Sequence, residues 1–294
     1  MYTIQTRLIH IHQCQTITWS NLYRILKVDP TLESLYHLTP TQLHKKFNLP
    51  LEKMKSLYNN LQSYPIDSML EQYKCQNIQC LTLLDSLYPF SLKQIYDPPW
   101  VLYVKGNIEI LNNKRILAIV GSRTPTSYGK NGARELTKAL AHYNWVTVSG
   151  LAIGVDTIVH RTTLNNNGKT IAVLGSGLLH IYPTGNRMLA EEIAQNHLLI
   201  SEYPLNALPQ KWHFPARNRI ISGLALGTLV IEAAEKSGSL ITADLALAQN
   251  RDVFALPGPI TSRFSIGTNQ LIQRGAKLVQ SVEDIFVEFE HLSL

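Results

Sequence analysis

The sequence predicts an α/β protein: a doubly wound, mostly parallel, Rossmann-like sheet preceded by a small all-helical domain. Three observations predict it. From residue 114 onward, short continuous apolar runs alternate with helical stretches of about 10–15 residues, the pattern of strands buried on both faces and joined by crossover helices. Glycine-bearing turns follow the apolar runs, at Gly121-Ser122-Arg123, Ser149-Gly150-Leu151, Gly175-Ser176-Gly177, Gly223-Leu224, Lys236-Ser237-Gly238-Ser239 and Pro257-Gly258. The first 66 residues, by contrast, carry apolar residues only at helical spacing.

In that first segment Trp19, Leu22, Tyr23 and Leu26 line one face of a helix that Asp29-Pro30 breaks. A second helix opens at Thr31, with Leu32, Leu35 and Tyr36 together. Thr39-Pro40 starts a third, threonine capping and proline suiting the first turn, and Pro50 starts a fourth. A small bundle over 1–66 follows, of a kind that binds nucleic acid or protein or merely packs. Residues 67–115 read as a connector, punctuated by Tyr88-Pro89 and Asp97-Pro98-Pro99, with a strand at 100–106.

The main domain, 67–294 with its connector, is expected to hold strands at 115–121, 145–149, 170–175, 197–202, 227–232 and 252–256, and a short one at 277–279. Helices fill 129–143, 154–164, 186–195, a segment from near Arg217 to Leu224, 239–250 and 268–274, the last closed by Gly275. Ligands of such sheets bind outside the carboxyl ends of the strands. The glycine turns fall there, so their backbone N–H groups are expected to offer a surface for phosphates.

Composition narrows the class. The 294 residues carry a net charge of +6, which points to a polyanion, and no apolar run is long enough to cross a membrane. The N-terminus lacks a signal-peptide pattern, so a cytoplasmic protein is expected. Three cysteines (Cys14, Cys75, Cys80) make neither a disulfide framework nor a zinc set, so no metal is expected.

Dinucleotide and P-loop chemistry are disfavoured, so no cofactor is expected. The first turn is long and carries an arginine, the strand at 145–149 ends without a carboxylate, and no Gly-x-x-x-x-Gly-Lys-Ser/Thr occurs. What remains suits phosphate alone. Arg123 stands at a helix N-terminus, where it can fork onto a phosphate; an ion pair to a helix carboxylate is the alternative. Ser122, Ser149, Ser176 and Ser237 add hydroxyls, Gly121 and Gly150 backbone donors, and Lys236 a charge. Lys211, Arg217 and Arg219 interleave with Trp212, His213 and Phe214, the mixture a single strand needs: cations for its backbone and rings for its bases. The alternative is that Trp212 and Phe214 are core residues that anchor the loop. Asp156 and His160, at i, i+4, read as residues that hold the 149–154 turn in shape, since no nucleophile elbow is present. Glu232 and Asp244 read as loop and cap residues.

Taken together these blocks resemble the DNA-processing protein A (DprA/Smf) family from about Ser86 onward. They include Val120-Gly-Ser-Arg123, Ser149-Gly-Leu-Ala-Ile-Gly-Val-Asp156, Phe214-Pro-Ala-Arg-Asn-Arg219, Lys236-Ser-Gly-Ser239, Val253-Phe-Ala-Leu-Pro-Gly258 and Gly267-Thr-Asn269. The resemblance implies a non-enzymatic protein that binds and protects incoming single-stranded DNA, loads the recombinase RecA during natural transformation, and forms a homodimer through its Rossmann-type domain. It implies Arg123, Lys211 and Phe214 as DNA contacts. It also puts a dimer or RecA surface loosely on Ile241, Leu245, Leu271, Ile272 and Leu278. Ile153 departs from the polar or basic residue many members carry in its turn. The chain stops near Leu294, so the winged-helix domain of some members is not expected. The rival reading is a phosphoribohydrolase-like nucleotide hydrolase, suggested by Gly227-Thr-Leu-Val-Ile-Glu232, although the paired-glycine loop before it is missing.

Overall fold

A computed structural model describes residues 2–290 and divides into two compact units. The first comprises Met1–Tyr88 with Asp97–Val104, the second Pro89–Tyr96 with Lys105–Leu294.

Six helices and an antiparallel strand pair build the first unit: α1 (Ile4–Gln13), α2 (Trp19–Val28), α3 (Ser34–His37), α4 (Pro40–Phe47), α5 (Leu51–Ser63), α6 (Ile66–Cys75), and β1 (Gln79–Thr82) antiparallel to β2 (Val101–Gly106). Thr3, Thr18 and Thr39 cap α1, α2 and α4 by accepting from backbone N–H groups, and Gln42 completes a capping box with Thr39. The helix expected from Thr31 is a single turn. Leu32 sits at φ +60°, and the Asp29 carboxylate instead accepts from the N–H groups of Thr31 and Ser34. The boundary expected at residue 66 falls in the first turn of α6, which belongs with the helices before it in one unit. Tyr73 of α6 stacks on Tyr103 of β2 at 5.4 Å. Helix α1 is pinned by buried His10, whose ring nitrogens lie 2.9 Å from Tyr36 Oη and 2.7 Å from the Tyr64 carbonyl oxygen.

The second unit opens with one turn, α7 (Phe90–Lys93), and then alternates strictly. Its elements are β3 (Ile116–Val120), α8 (Ser127–His142), β4 (Val146–Ser149), α9 (Val155–Asn165), β5 (Lys169–Leu174), α10 (Arg187–Asn196) and β6 (Leu198–Ser201). There follow α11 (His213–Leu224), β7 (Gly227–Val230), α12 (Gly238–Ala248), β8 (Asp252–Ala255), α13 (Ile266–Gln273), β9 (Lys277–Leu278) and α14 (Glu283–Phe289). Its strands lie in the order β6-β5-β4-β3-β7-β8-β9, every neighbouring pair parallel. The chain winds outward from β3 to β6 and then returns to place β7 beside β3. The loops after β3 and β7 therefore part at the point where the winding reverses, which is where open parallel sheets form a crevice.

Strands β3, β4, β5 and β7 have apolar residues buried on both faces, as their continuous apolar runs require. One face packs Leu117, Ile119, Leu229 and Phe254 against Leu136, Leu140, Val155 and Val159 of α8 and α9. The same cluster includes Ile285 and Phe289 of α14, a helix not anticipated from the sequence. Its signal, Val282, Ile285, Phe286 and Phe289 at helical spacing, was present. Helix α11 begins at His213, a turn earlier than expected. The expectation about a winged-helix domain falls at the end of the chain, outside the described residues.

Candidate nucleic-acid interface

The loops at the winding reversal border an open cleft of about 660 Å³. Gly121, Ser122 and Arg123 come from the loop after β3, Lys211, Phe214 and Pro215 from the start of α11, and Ser237, Gly238 and Ser239 from the N-terminus of α12. Arg123 and Lys211 are exposed, and neither has a carboxylate partner among the described residues. Ser237 caps α12 by accepting from the Ser239 N–H, so the helix presents the positive end of its dipole to the cleft. Apart from its own chain neighbours and helix backbone, no atom lies within 4 Å of where a Gly238 side chain would begin, so an anion can approach this backbone closely. The Tyr182 and Phe214 rings, 5.3 Å apart and tilted, supply an aromatic wall. Trp212 is 69 % exposed, so it is not core; His213 anchors the loop instead, stacked on Tyr203 at 3.8 Å with Nδ1 3.1 Å from the Gly175 carbonyl oxygen.

Beneath the cleft lies a buried polar clamp. Asp156, in the first turn of α9, accepts from the N–H groups of Gly150 (3.1 Å) and Ala152 (3.2 Å). Arg217 of α11 donates to the carbonyl oxygens of Gly150 (2.6 Å) and Val173. Asn186 donates to Leu151 O at 2.8 Å. These bonds hold Leu151 at φ +57° and Gly154 at φ +85°, where a Cβ would strike the Ser122 and Arg123 backbone. Burial raises the Asp156 pKa, and the Arg217 charge opposes that rise. Burial also lowers the Arg217 pKa, to about 10, with Asp156 opposing. His160 is bound elsewhere: Nδ1 lies 2.7 Å from Thr170 Oγ1, Nε2 has no partner, and burial drives its pKa down to about 3.

The structure brings together Gly121, Ser122, Arg123, Lys211, Phe214 and Ser237 around the cleft, and places the other expected site residues differently. Arg217 borders the cleft only as part of its floor, its guanidinium turned inward onto carbonyls. Arg219 is buried and forks onto Glu202 at 2.6 and 2.8 Å. Ser149 and Ser176 are buried and donate to Ile119 O (2.7 Å) and His180 O (2.6 Å), so their hydroxyls do not point at a ligand. Gly150 is buried for the opposite reason to that expected: a Cβ there would meet Arg217 Nη2 at 2.5 Å, so glycine admits the guanidinium, not a phosphate. Gly175 and Gly177 likewise make room for Phe214 and for the Pro204 carbonyl. Lys236 lines a neighbouring hollow with Asp244 and Arg274. Of the loosely placed surface, Ile241 and Leu278 are exposed, Leu245 and Ile272 half-buried, and Leu271 buried in the unit, where it presents no surface. Sequence reasoning missed Tyr182 and Phe264 as cleft residues. Each stands alone in its loop without a basic neighbourhood large enough to draw attention, though Arg263 beside Phe264 was a readable hint.

Comparison with known proteins decides the family. A family model described as DNA recombination-mediator protein A matches residues 79–290. The chain belongs to that family. The DNA processing protein DprA of Bacillus subtilis is 44% identical over 276 residues, covering 93% of this chain and 91% of the relative. That of Streptococcus pneumoniae is 45% identical over 227 residues, 77% and 80% of the two chains. The crystal structure of the pneumococcal DprA matches with a TM-score of 0.86 at 36% identity, over 99% of both chains. A Helicobacter pylori DprA, solved to describe its single-stranded DNA binding mode, matches with a TM-score of 0.65 at 35% identity, over 72% of this chain and 95% of that one. The chain is thus a member of the DNA recombination-mediator protein A family, similar over most of its length to DNA processing proteins. Among its described residues no helix is long and apolar enough to cross a membrane.

Proposed function

We propose that this DprA-family chain binds single-stranded DNA along the carboxyl edge of its parallel sheet and delivers it to a RecA-type recombinase in the cytoplasm. The observation that carries the reading is the cleft itself. It sets two unpaired cations, Arg123 and Lys211, and an open helix N-terminus beside the Tyr182–Phe214 rings. Cations and N–H groups suit phosphates, and exposed rings suit unstacked bases, which a duplex keeps paired.

A binding role without catalysis is supported by how the acidic groups are occupied. Asp156 is taken up by two backbone N–H groups, and Glu232 accepts from the N–H and Oγ1 of Thr126 at 2.8 and 2.5 Å. The residue on which a nucleotide-hydrolase reading depends therefore holds the start of α8. The homodimer and the RecA contact are carried by family resemblance, with Ile241 and Leu278 as the exposed apolar positions available to them.

The test is fluorescence anisotropy with labelled oligo-dT and its duplex counterpart at several salt concentrations. Salt-dependent binding that favours the single strand is expected. Absence of binding to both at low salt, or release of free base from nucleotides, would overturn the proposal.

A further inference from the structure

The loop between β8 and α13 brings a third ring, Phe264, to the cleft, and a third cation, Arg263, rests on that ring. Phe264 borders the cleft beside Ala234 and Ile241. Its position is set by backbone: the Ala233 N–H donates to Phe264 O at 2.8 Å, and the Gly267 N–H donates to Ala233 O at 2.8 Å. At the other end of the loop Asn269 closes both polar groups of Gly258, accepting at 3.2 Å and donating at 3.0 Å, while Tyr128 Oη donates to Pro257 O. The loop is thus braced at both ends, by the segment after β7 at Phe264 and by α8 and α13 at Pro257-Gly258. On this braced ring rests Arg263, its guanidinium carbon 4.8 Å from the ring centroid. Arg263 is exposed and meets no carboxylate among the described residues.

We propose that Arg263 and Phe264 form a second station on the path of the single strand, the ring stacking on one base and the guanidinium taking an adjacent phosphate. This rests on the single-strand reading above. A strand that passes Phe214 and Arg123 and crosses the N-terminus of α12 meets Phe264 next, because these groups border one continuous cleft. The pairing of ring and guanidinium repeats the chemistry of Phe214 with Lys211, and a planar guanidinium serves phosphate and aromatic face together.

The experiment compares Arg263→Ala, Arg263→Lys, Phe264→Leu and Arg123→Ala with the parent chain, on labelled oligo-dT and on an abasic strand of equal length, across a salt series. Arg263→Ala is expected to flatten the log affinity against log salt by about 0.7, one phosphate on a single strand, and Arg263→Lys to restore it. Phe264→Leu is expected to weaken oligo-dT binding roughly 5-fold or more and to leave abasic-strand binding unchanged. Thermal unfolding of each variant separates a loss of contact from a loss of fold. If Arg123→Ala weakens binding while Arg263→Ala and Phe264→Leu do not, the station is overturned and the cleft reading stands. If none of the variants changes binding, the single-strand reading falls and the station with it.

Discussion

Asp156 and Arg217 take hold of the same residue from two sides, the carboxylate accepting from the Gly150 N–H and the guanidinium donating to the Gly150 carbonyl oxygen. Each side chain comes from a different helix, and a side chain on Gly150 would collide with the guanidinium. The motif around Ser149 is therefore built to seat an internal arginine.

Replacing Arg217 with methionine should destabilise the fold by about 3–5 kcal/mol, because it leaves a buried carboxylate and two carbonyl oxygens without their cation. Thermal unfolding of Arg217→Met, Asp156→Asn and the double variant checks this. The double variant should lose less than the sum of the two singles, since the groups are coupled.

Two glycines should behave oppositely. Gly150→Ala should be strongly destabilising, its methyl group displacing the Arg217 guanidinium. Gly238→Ala meets nothing within 4 Å and sits at the start of α12, so it should leave stability unchanged or raise it by up to about 1 kcal/mol. Chemical denaturation of the two variants side by side distinguishes them.

Arg123→Ala should lower affinity for single strands of every sequence alike and reduce the salt slope by about 0.7, one phosphate contact. Anisotropy with several oligonucleotide sequences tests it; a loss confined to one sequence would contradict a phosphate role.

His160 predicts an acid-sensitive fold. Its folded pKa, about 3, lies below the ordinary 6.5, so the unfolded chain binds the extra proton as pH falls. Stability from this residue is whole above about pH 6.5 and is lost progressively toward pH 3, by up to ~5 kcal/mol. In His160→Leu the loss over pH 6 to 4 should be shallower than in the parent. Thr170 keeps a partner there, since its hydroxyl also donates to Thr147 O at 3.2 Å. Urea unfolding across that pH range measures the difference.

Strand and helix periodicity made the sheet legible, because its strands are continuous apolar runs and its crossovers are amphipathic. The place of the candidate cleft was legible too, from glycine turns at strand ends. The roles within it were not. Arg217 and Arg219 read as exposed cations because charge implies surface. Only the folded chain reveals carbonyls at the ends of β4 and β5 waiting for one of them, and Glu202 for the other. Serines misled in the same way, since a hydroxyl that closes a turn looks in sequence like one that greets a ligand. The one-turn α3 was lost to Asp29, whose carboxylate offered the backbone an alternative to a longer helix.

The clamp under the cleft ties the shape of the binding edge to the survival of the fold. Loosening the 149–154 turn to suit another ligand would unseat Arg217 and with it the contact between α11 and the β4 and β5 ends. If this edge binds single strands as proposed, variation in what it recognises is confined to its rim, at Arg123, Tyr182, Lys211 and Phe214. A selection for altered binding strength should return substitutions there, while the residues nearest the turn stay fixed for reasons of assembly.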